Sequence, residues 1–202
     1  MGYLEDHCVF YKMTPDLVSK CGEVSCSLDP AIDEFFREEY YLYEKAYMCV
    51  TYCFVNRDEK KIVAAFALSM SSITVRDMEN RNRRSIEKGI PYAKHKSQYP
   101  ALLLGQLAVF DGYRGHNIGR EILDFVKALF AEPYSPSFEI NYGFNNVGCC
   151  YILVDALNKE KVLQLYTDNG FQPVFVDDEE PEGEKDAPQT KALLFNLARL
   201  QV

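Results

Sequence analysis

The run "LLLGQLAVF", residues 102–110, is apolar on both alternate faces, and a turn, "DGYRGHNIG", and an amphipathic helical pattern follow it. A half-buried strand alternates apolar with polar residues. One that does not alternate is covered on both sides and sits in the middle of a sheet. A second apolar run, "YILVDA" at 151–156, leads in the same way into a polar break and a short helical pattern. These two strand–turn–helix units fix the class: α/β or α+β, built on one mixed sheet with helices against it.

The remaining segments fit around that centre. "HCVFYKM" reads as a short strand. Asp29 is a good helix N-cap, Pro30 suits the first helical position, and Asp33 and Glu34 complement the positive helix end. Ile32, Phe35, Phe36, Tyr40 and Tyr43 then recur at helical spacing, which predicts a helix laid on a core. Two β-rich runs around "NRDEKK" predict an antiparallel hairpin. The basic segment 76–96 reads as helix and loop, closed by Pro100. Beyond the turn, Ile118, Ile122, Val126 and Leu129 make a helical stripe. After "YILVDA", Asn158 introduces a short helix with Val162, Leu165 and Tyr166, and Gly170 is placed for a left-handed C-cap. "FQPVFV" and "TKALLFNLA" are expected as closing strands with an acidic loop between them. No repeat and no linker divides the chain, so residues 1–202 are expected to form a single domain.

With 48% hydrophobic and 26% charged residues the composition is that of a soluble protein. No run approaches the roughly 18 to 20 apolar residues of a membrane helix, and the start lacks the layout of a secretory signal. The expectation is a cytoplasmic protein with no membrane contact. Seven cysteines are an odd number without a zinc-type CxxC pair, so they read as buried reduced thiols, and no metal site is expected. A net charge of −8 argues against general affinity for nucleic acid. The charge is unevenly spread, however: segment 76–96 holds seven Lys/Arg against three acids, and 177–186 seven acids against one lysine.

The turn between strand and helix is where chemistry is expected. Gly115 and Gly119 open a helix whose first N–H groups lack partners, and the macrodipole puts roughly half a positive charge there. Such an end binds anions, with Arg114 and Arg120 adding charge. The turn has no GK[ST] of a nucleotide P-loop, and the chain has no GxGxxG. The residues alone leave a second reading open, in which the glycines serve only the geometry of the turn.

"LLLGQLAVFDGYRGHNIGREIL" followed by "GCCYILVDALNKEKVLQLYTDNGFQPV" resembles the two core motifs of the GNAT superfamily of acetyl-CoA-dependent N-acetyltransferases; "AAFALS" and the "FF" helix resemble it more weakly. The resemblance covers over a quarter of the chain. It implies a mixed, mostly antiparallel sheet with a V-shaped splay between two central strands, acetyl-CoA as cofactor and CoA as product. The family's turn pattern falls on Arg114, Gly115, His116, Asn117, Ile118 and Gly119, with Asn117 where glycine is usual. Asn tolerates the required backbone angles better than most residues, so the turn still suits a pyrophosphate. By the same resemblance the backbone of Leu107, Ala108 and Val109 pairs with the pantetheine arm, an N–H near Val109 serves the oxyanion, and Asn158 contacts CoA. Tyr166 would give a proton to the departing thiolate. The residues themselves equally allow Asn158 as a helix cap and Tyr166 as a core aromatic. His116 is expected to contact the anion, and no general base is assigned.

The acceptor expected from the sequence is a primary amine on a small molecule or peptide, which the acidic loop 177–186 would steer. The alternative is the amino group of an aminoacyl-tRNA, since the order of motifs looks most like the toxin branch of the superfamily. Nucleic acid would then contact segment 76–96, which otherwise reads as a solvated helix face. A further alternative is an acyl-CoA-binding module without turnover. Association into a homodimer is left open.

Overall fold

The computed structural model describes residues 2–76, 78, 80–131, 148–174 and 189–200. The acidic loop 177–186 lies outside them, as do Asp77 and Glu79 of the basic segment and the end of "FQPVFV". The strands are β1 (Cys8–Lys12), β2 (Val50–Asn56), β3 (Ile62–Thr74), β4 (Gln98–Val109), β5 (Tyr151–Leu157), β6 (Gln172–Pro173) and β7 (Thr190–Asn196). They form one seven-stranded sheet in the order β1-β2-β3-β4-β5-β7-β6. The α-helices are α1 (Tyr3–His7), α2 (Pro15–Cys21), α3 (Pro30–Glu34), α4 (Tyr40–Lys45), α5 (Asn80–Glu87), α6 (Ile118–Ala131) and α7 (Glu160–Asp168).

The sheet is mostly antiparallel, as expected. β1 pairs with β2 from Cys8↔Asn56 to Lys12↔Tyr52, and β2 and β3 form the hairpin around the polar turn. Phe110 N–H donates to Val63 O at 3.0 Å and Val75 N–H to Ser97 O at 2.9 Å, so β3 and β4 also run antiparallel. At the centre β4 and β5 are parallel over Ala101↔Tyr151, Leu102↔Ile152 and Leu103↔Leu153, and both strands continue past this short ladder. β5 pairs with β7 along its whole length.

The chain groups into two compact units, Met1–Ser69 with Leu104–Asp124, and Met70–Leu103 with Phe125–Val202. In the first, Met13, Phe36, Cys53, Ala65 and Phe110 belong to one buried cluster with Phe35 and Tyr40 of the helical segment. Phe10 stacks on Tyr52 at 5.3 Å and on Phe66 at 6.0 Å. In the second, Ile73, Val75, Ile86, Tyr99, Tyr151 and Leu194 share a core. The Tyr151 hydroxyl donates to Ile86 O, and Tyr99 and Tyr151 meet edge-on at 6.3 Å.

Three details depart from the sequence reading. The helix that starts at Asp29 contains a π segment, Phe35–Glu39, in which Tyr40 N–H reaches Phe35 O five residues back. Phe35 and Phe36 are both buried, although they are adjacent in sequence. Pro100 lies inside β4 rather than before it: lacking an N–H, it takes part through its carbonyl, which accepts from Cys150 N–H at 2.9 Å. β6 is only two residues long, and Val162 and Leu165 are half-buried, leaving Tyr166 as the buried residue of α7. Of the seven free thiols, Cys8, Cys26, Cys49 and Cys53 are buried and the other three half-buried.

The helix start at Asp29 is as the sequence implies: its carboxylate accepts from Ala31 N–H at 3.1 Å and Ile32 N–H at 3.3 Å, with Pro30 at the first position. Asp29→Ala is therefore expected to destabilise the fold by about 1 kcal/mol. Urea unfolding should show a lower midpoint with an unchanged m-value.

Candidate functional site

The turn after β4 is held from outside itself. Asp111 N–H donates to Ser25 O at 2.9 Å. The Asp111 carboxylate accepts from Ser25 Oγ at 2.9 Å, Ser27 Oγ at 3.0 Å and Ser27 N–H at 3.1 Å, and pairs with Arg114 Nη2 at 2.8 Å. The Ser25 hydroxyl first, then the Ser27 groups and the guanidinium, hold this carboxyl below the usual carboxylate range. Since the folded value is depressed, the contribution of the tie is complete above a pH of about 4. It is lost as pH falls through the depressed value.

Arg114 also donates from Nε to Val109 O at 3.4 Å and from Nη1 to Ser27 Oγ at 3.5 Å. The sequence pattern predicts Arg114 as added charge for a ligand. Instead its charge is balanced by Asp111, and the side chain joins the turn to residues 25–27. Tyr113 donates its hydroxyl to Glu59 Oε2 at 2.6 Å, which fixes the turn to the β2–β3 hairpin.

Within the turn, Gly112 (φ 91°), Gly115 (φ 87°) and Asn117 (φ 61°) are left-handed. A side chain with a Cβ is sterically strained in that conformation, least for Asn, so glycine at 115 and Asn at 117 suit the path of the chain. Asn117 O accepts from Arg120 N–H at 3.1 Å and Glu121 N–H at 3.3 Å, which begins α6. The backbone N–H groups of Gly115, His116, Asn117, Ile118 and Gly119 find no acceptor among the described residues. A Cβ built on Gly115 would meet no atom within 4 Å, so the space beside it is open. Successive unused N–H groups at the start of a long helix fit the oxygens of a pyrophosphate.

The neighbouring charges are largely absorbed. Glu121 in the first turn of α6 accepts from Tyr3 N–H at 2.9 Å and Leu4 N–H at 2.7 Å, at the start of α1. Arg120 is exposed and lies 3.9 Å from Asp124. His116 is exposed, its ring 5.0 Å from that of Tyr3. Leu107 and Val109 of β4 are half-buried and Ala108 is buried.

Asn158 and Tyr166 belong to the second unit, on the stretch from β5 to α7. Asn158 N–H donates to Gln189 O at 2.9 Å. It is not the helix cap: Lys159 holds that position, because Lys159 O accepts from Val162 and Leu163. Tyr166 is 8% exposed and meets Phe171 edge-on at 5.5 Å. Burial pushes its phenol up to about 12, and its hydroxyl has no hydrogen-bond partner among the described residues.

Residues 107–109 and 114–120 thus lie on one continuous strand–turn–helix, and 158 and 166 on the other. Sequence reasoning missed Asp111, Ser25, Ser27 and Glu121. The i, i+3 spacing of Asp111 and Arg114 was a legible signal for the pair; nothing local to "SCS" marks it as their partner. No group of three or more His, Cys, Asp or Glu among the described residues could hold a metal ion. No helix there is long and apolar enough to cross a membrane. An open cleft of about 760 Å³ in the first unit, lined among others by Met13, Val18, Arg37, Tyr40 and Glu44, includes no residue of the turn.

No family model matches the sequence, and no curated protein matches it. Solved structures do, and they define the class: the chain has the GNAT fold. The form of it is that of KacT and AtaT. A mutant of KacT matches with a TM-score of 0.69 at 16% identity, over 96% of this chain and 98% of that one. AtaT complexed with acetyl-methionyl-tRNAfMet matches with 0.64 at 17%, over 96% and 97%. AtaTR bound with acetyl-CoA matches with 0.63 at 19%, over 97% of each chain.

The left-handed Asn117 gives a graded expectation. Asn117→Gly should change stability by no more than a few tenths of a kcal/mol, since glycine takes the same angles. Asn117→Val, whose β-branched side chain strains the left-handed backbone, should cost about 1 to 2 kcal/mol in the same denaturant titration.

Proposed function

We propose that this chain is an acetyl-CoA-dependent N-acetyltransferase whose acceptor is the α-amino group of an aminoacyl-tRNA. One observation carries the reading: the N–H groups of Gly115 to Gly119 stand unused at the head of α6. They do so in a fold shared over almost its whole length with AtaT, a protein solved with acetyl-methionyl-tRNAfMet. The small-amine or peptide acceptor expected from the sequence has less support, because the comparisons favour the tRNA alternative.

When bound, acetyl-CoA supplies an acetyl thioester for attack by the amine. The five N–H groups of the turn would hold its pyrophosphate, with the α6 dipole favouring the negative charge. The tie through Asp111, Arg114 and residues 25–27 keeps the turn in place without spending a free cation on it. The β4 backbone at Leu107, Ala108 and Val109 would take the pantetheine arm by strand-like hydrogen bonds, as the family resemblance implies. Asn158 would contact the cofactor by the same resemblance.

Tyr166 is assigned as hydrogen-bond donor to the departing sulfur. A phenol pushed up to about 12 stays protonated throughout the neutral range, which suits a donor. A thiol ionises near about 8.5, so full transfer of the phenolic proton to the thiolate is uphill. Tyr166 therefore stabilises developing charge by sharing its proton, and solvent supplies the proton that stays.

Radiolabelled acetyl-CoA offered with charged tRNA, uncharged tRNA, polyamines and peptides tests the acceptor. Label is expected in the aminoacyl fraction of charged tRNA alone, released by mild base together with the amino acid. Label in a polyamine or peptide and none in aminoacyl-tRNA would overturn the acceptor. Failure of acetyl-CoA to raise the melting temperature would overturn the cofactor as well.

Tyr166→Phe keeps the ring and removes only the hydroxyl. Its kcat is expected to fall about 10²-fold, the lower end of the range for acid–base groups, with the acetyl-CoA affinity within about twofold of the parent.

A further inference from the structure

Exposed tyrosines are common, but Tyr92 is held in an unusual way. Its backbone is left-handed, at φ 56° and ψ 30°, and the residue is 84% exposed. A bulky residue in that region carries roughly 1 to 2 kcal/mol of strain, which no burial of Tyr92 offsets. Its ring has no aromatic or cationic partner among the described residues.

The backbone beneath it is firmly tied. His95 N–H donates to Tyr92 O at 3.2 Å and Lys96 N–H to Ala93 O at 2.9 Å. The buried Tyr99 places its hydroxyl 3.0 Å from Ala93 O and 3.2 Å from Glu87 Oε1, and Tyr151 holds Ile86 O. Arg83 bonds Glu87 at 2.8 Å and Lys96 O at 3.5 Å, and Asn196 donates to Lys88 O at 3.4 Å. Tyr92 is therefore a preorganised projection on a fixed base.

The same segment carries exposed cations. Arg84, Lys88 and Lys96 are exposed and make no ion pair among the described residues, whereas Arg83 of the same helix is paired. They lie within one segment of a chain whose net charge is −8. Unpaired Lys and Arg bind phosphates, and an exposed aromatic side chain among them offers a face on which an unstacked base lies.

We propose that Tyr92 is a stacking platform for an unpaired base in the single-stranded end of the acceptor RNA, with Arg84, Lys88 and Lys96 contacting the adjoining phosphates. The inference rests on the aminoacyl-tRNA reading of the function and names the surface that would recognise that substrate. An acidic protein segment would satisfy the cations but has no use for the ring.

Tyr47 supplies a control. It is equally left-handed, at φ 56°, and 97% exposed. Its charged neighbours are engaged, Lys45 over the Tyr41 ring and Glu44 with Lys12.

The experiment measures binding of aminoacylated tRNA to the full chain by fluorescence anisotropy across a salt series. CoA affinity, measured by calorimetry for each variant, serves as the check on folding. Tyr92→Ala is expected to weaken tRNA binding roughly five- to a hundredfold, with the salt slope unchanged. Tyr92→Phe and Tyr47→Ala should stay within about threefold of the parent. Arg84→Ala with Lys88→Ala should flatten the slope of log K against log salt by about 1 to 2.

If the parent binds tRNA in a salt-dependent way but Tyr92→Ala binds equally well, the platform is overturned and the acceptor reading stands. Equal losses in Tyr92→Ala and Tyr47→Ala overturn it too. If the parent binds CoA but no tRNA even at low salt, the acceptor reading itself falls. Polyglutamate that displaces tRNA at equal charge concentration and binds independently of Tyr92 assigns the patch to an acidic protein instead.

Discussion

Leu102, Leu104 and Ala108 are buried on one face of β4, and Tyr99 and Ala101 on the other. A central strand with apolar residues at successive positions is stable in water when they are covered, and on the face of Leu103, Leu107 and Val109 that cover is partial. Ala108 belongs to the cluster with Phe36 and Phe110, and Ala101 to the cluster with Tyr99 and Tyr151. The strand ends at Val109, and from there the chain must leave the sheet at once. The turn stands where the central strand gives way to a helix, and its unused N–H groups are the ordinary unpaired donors of a helix start.

The turn is set apart by how its charges are used. Arg114 is balanced by Asp111, and Glu121 by the first N–H groups of α1. Uncharged backbone donors are left unused, in a turn oriented by ties to residues 25–27 and 59. A donor set of this kind loses little freedom on binding, and under the proposed function it would hold a pyrophosphate without the desolvation cost of a buried cation. The basic segment shows the opposite arrangement. There the backbone is tied down, and the cations Arg84, Lys88 and Lys96 have no acidic partner among the described residues. In the proposed function the two surfaces take different ligands: a small anion held by fixed dipoles, and a long polyanion met by exposed charges.

The second strand–turn–helix carries no such cradle. Asn158 is drawn into a backbone bond with Gln189 while Lys159 starts the helix, and Tyr166 turns inward against Phe171. Burial that keeps this phenol protonated also makes it a reluctant acid. That tension is the reason its proposed role is to share a proton rather than to give one away.

The sequence by itself determined the features that depend on near neighbours. Asp29 and Pro30 start a helix, "NRDEKK" turns a hairpin, residues 102–109 belong to the central strand and Asn117 takes a left-handed turn, because caps, turns and periodicity act over a few residues. The tertiary structure alone decided the features that depend on distant ones. Asp111 meets Ser25 across 86 positions of the chain, which leaves no periodic trace, so the tie of the Asp111–Arg114 pair to residues 25–27 was invisible. The π segment falls where Phe35 and Phe36 are both buried, and Pro100 sits in β4 with its carbonyl accepting from Cys150. Tyr92, Tyr99 and Tyr151 are equivalent letters in the sequence. Which of them supports the core and which projects into water was decided by where Glu87, Ile86 and Ala93 lie once the sheet has formed.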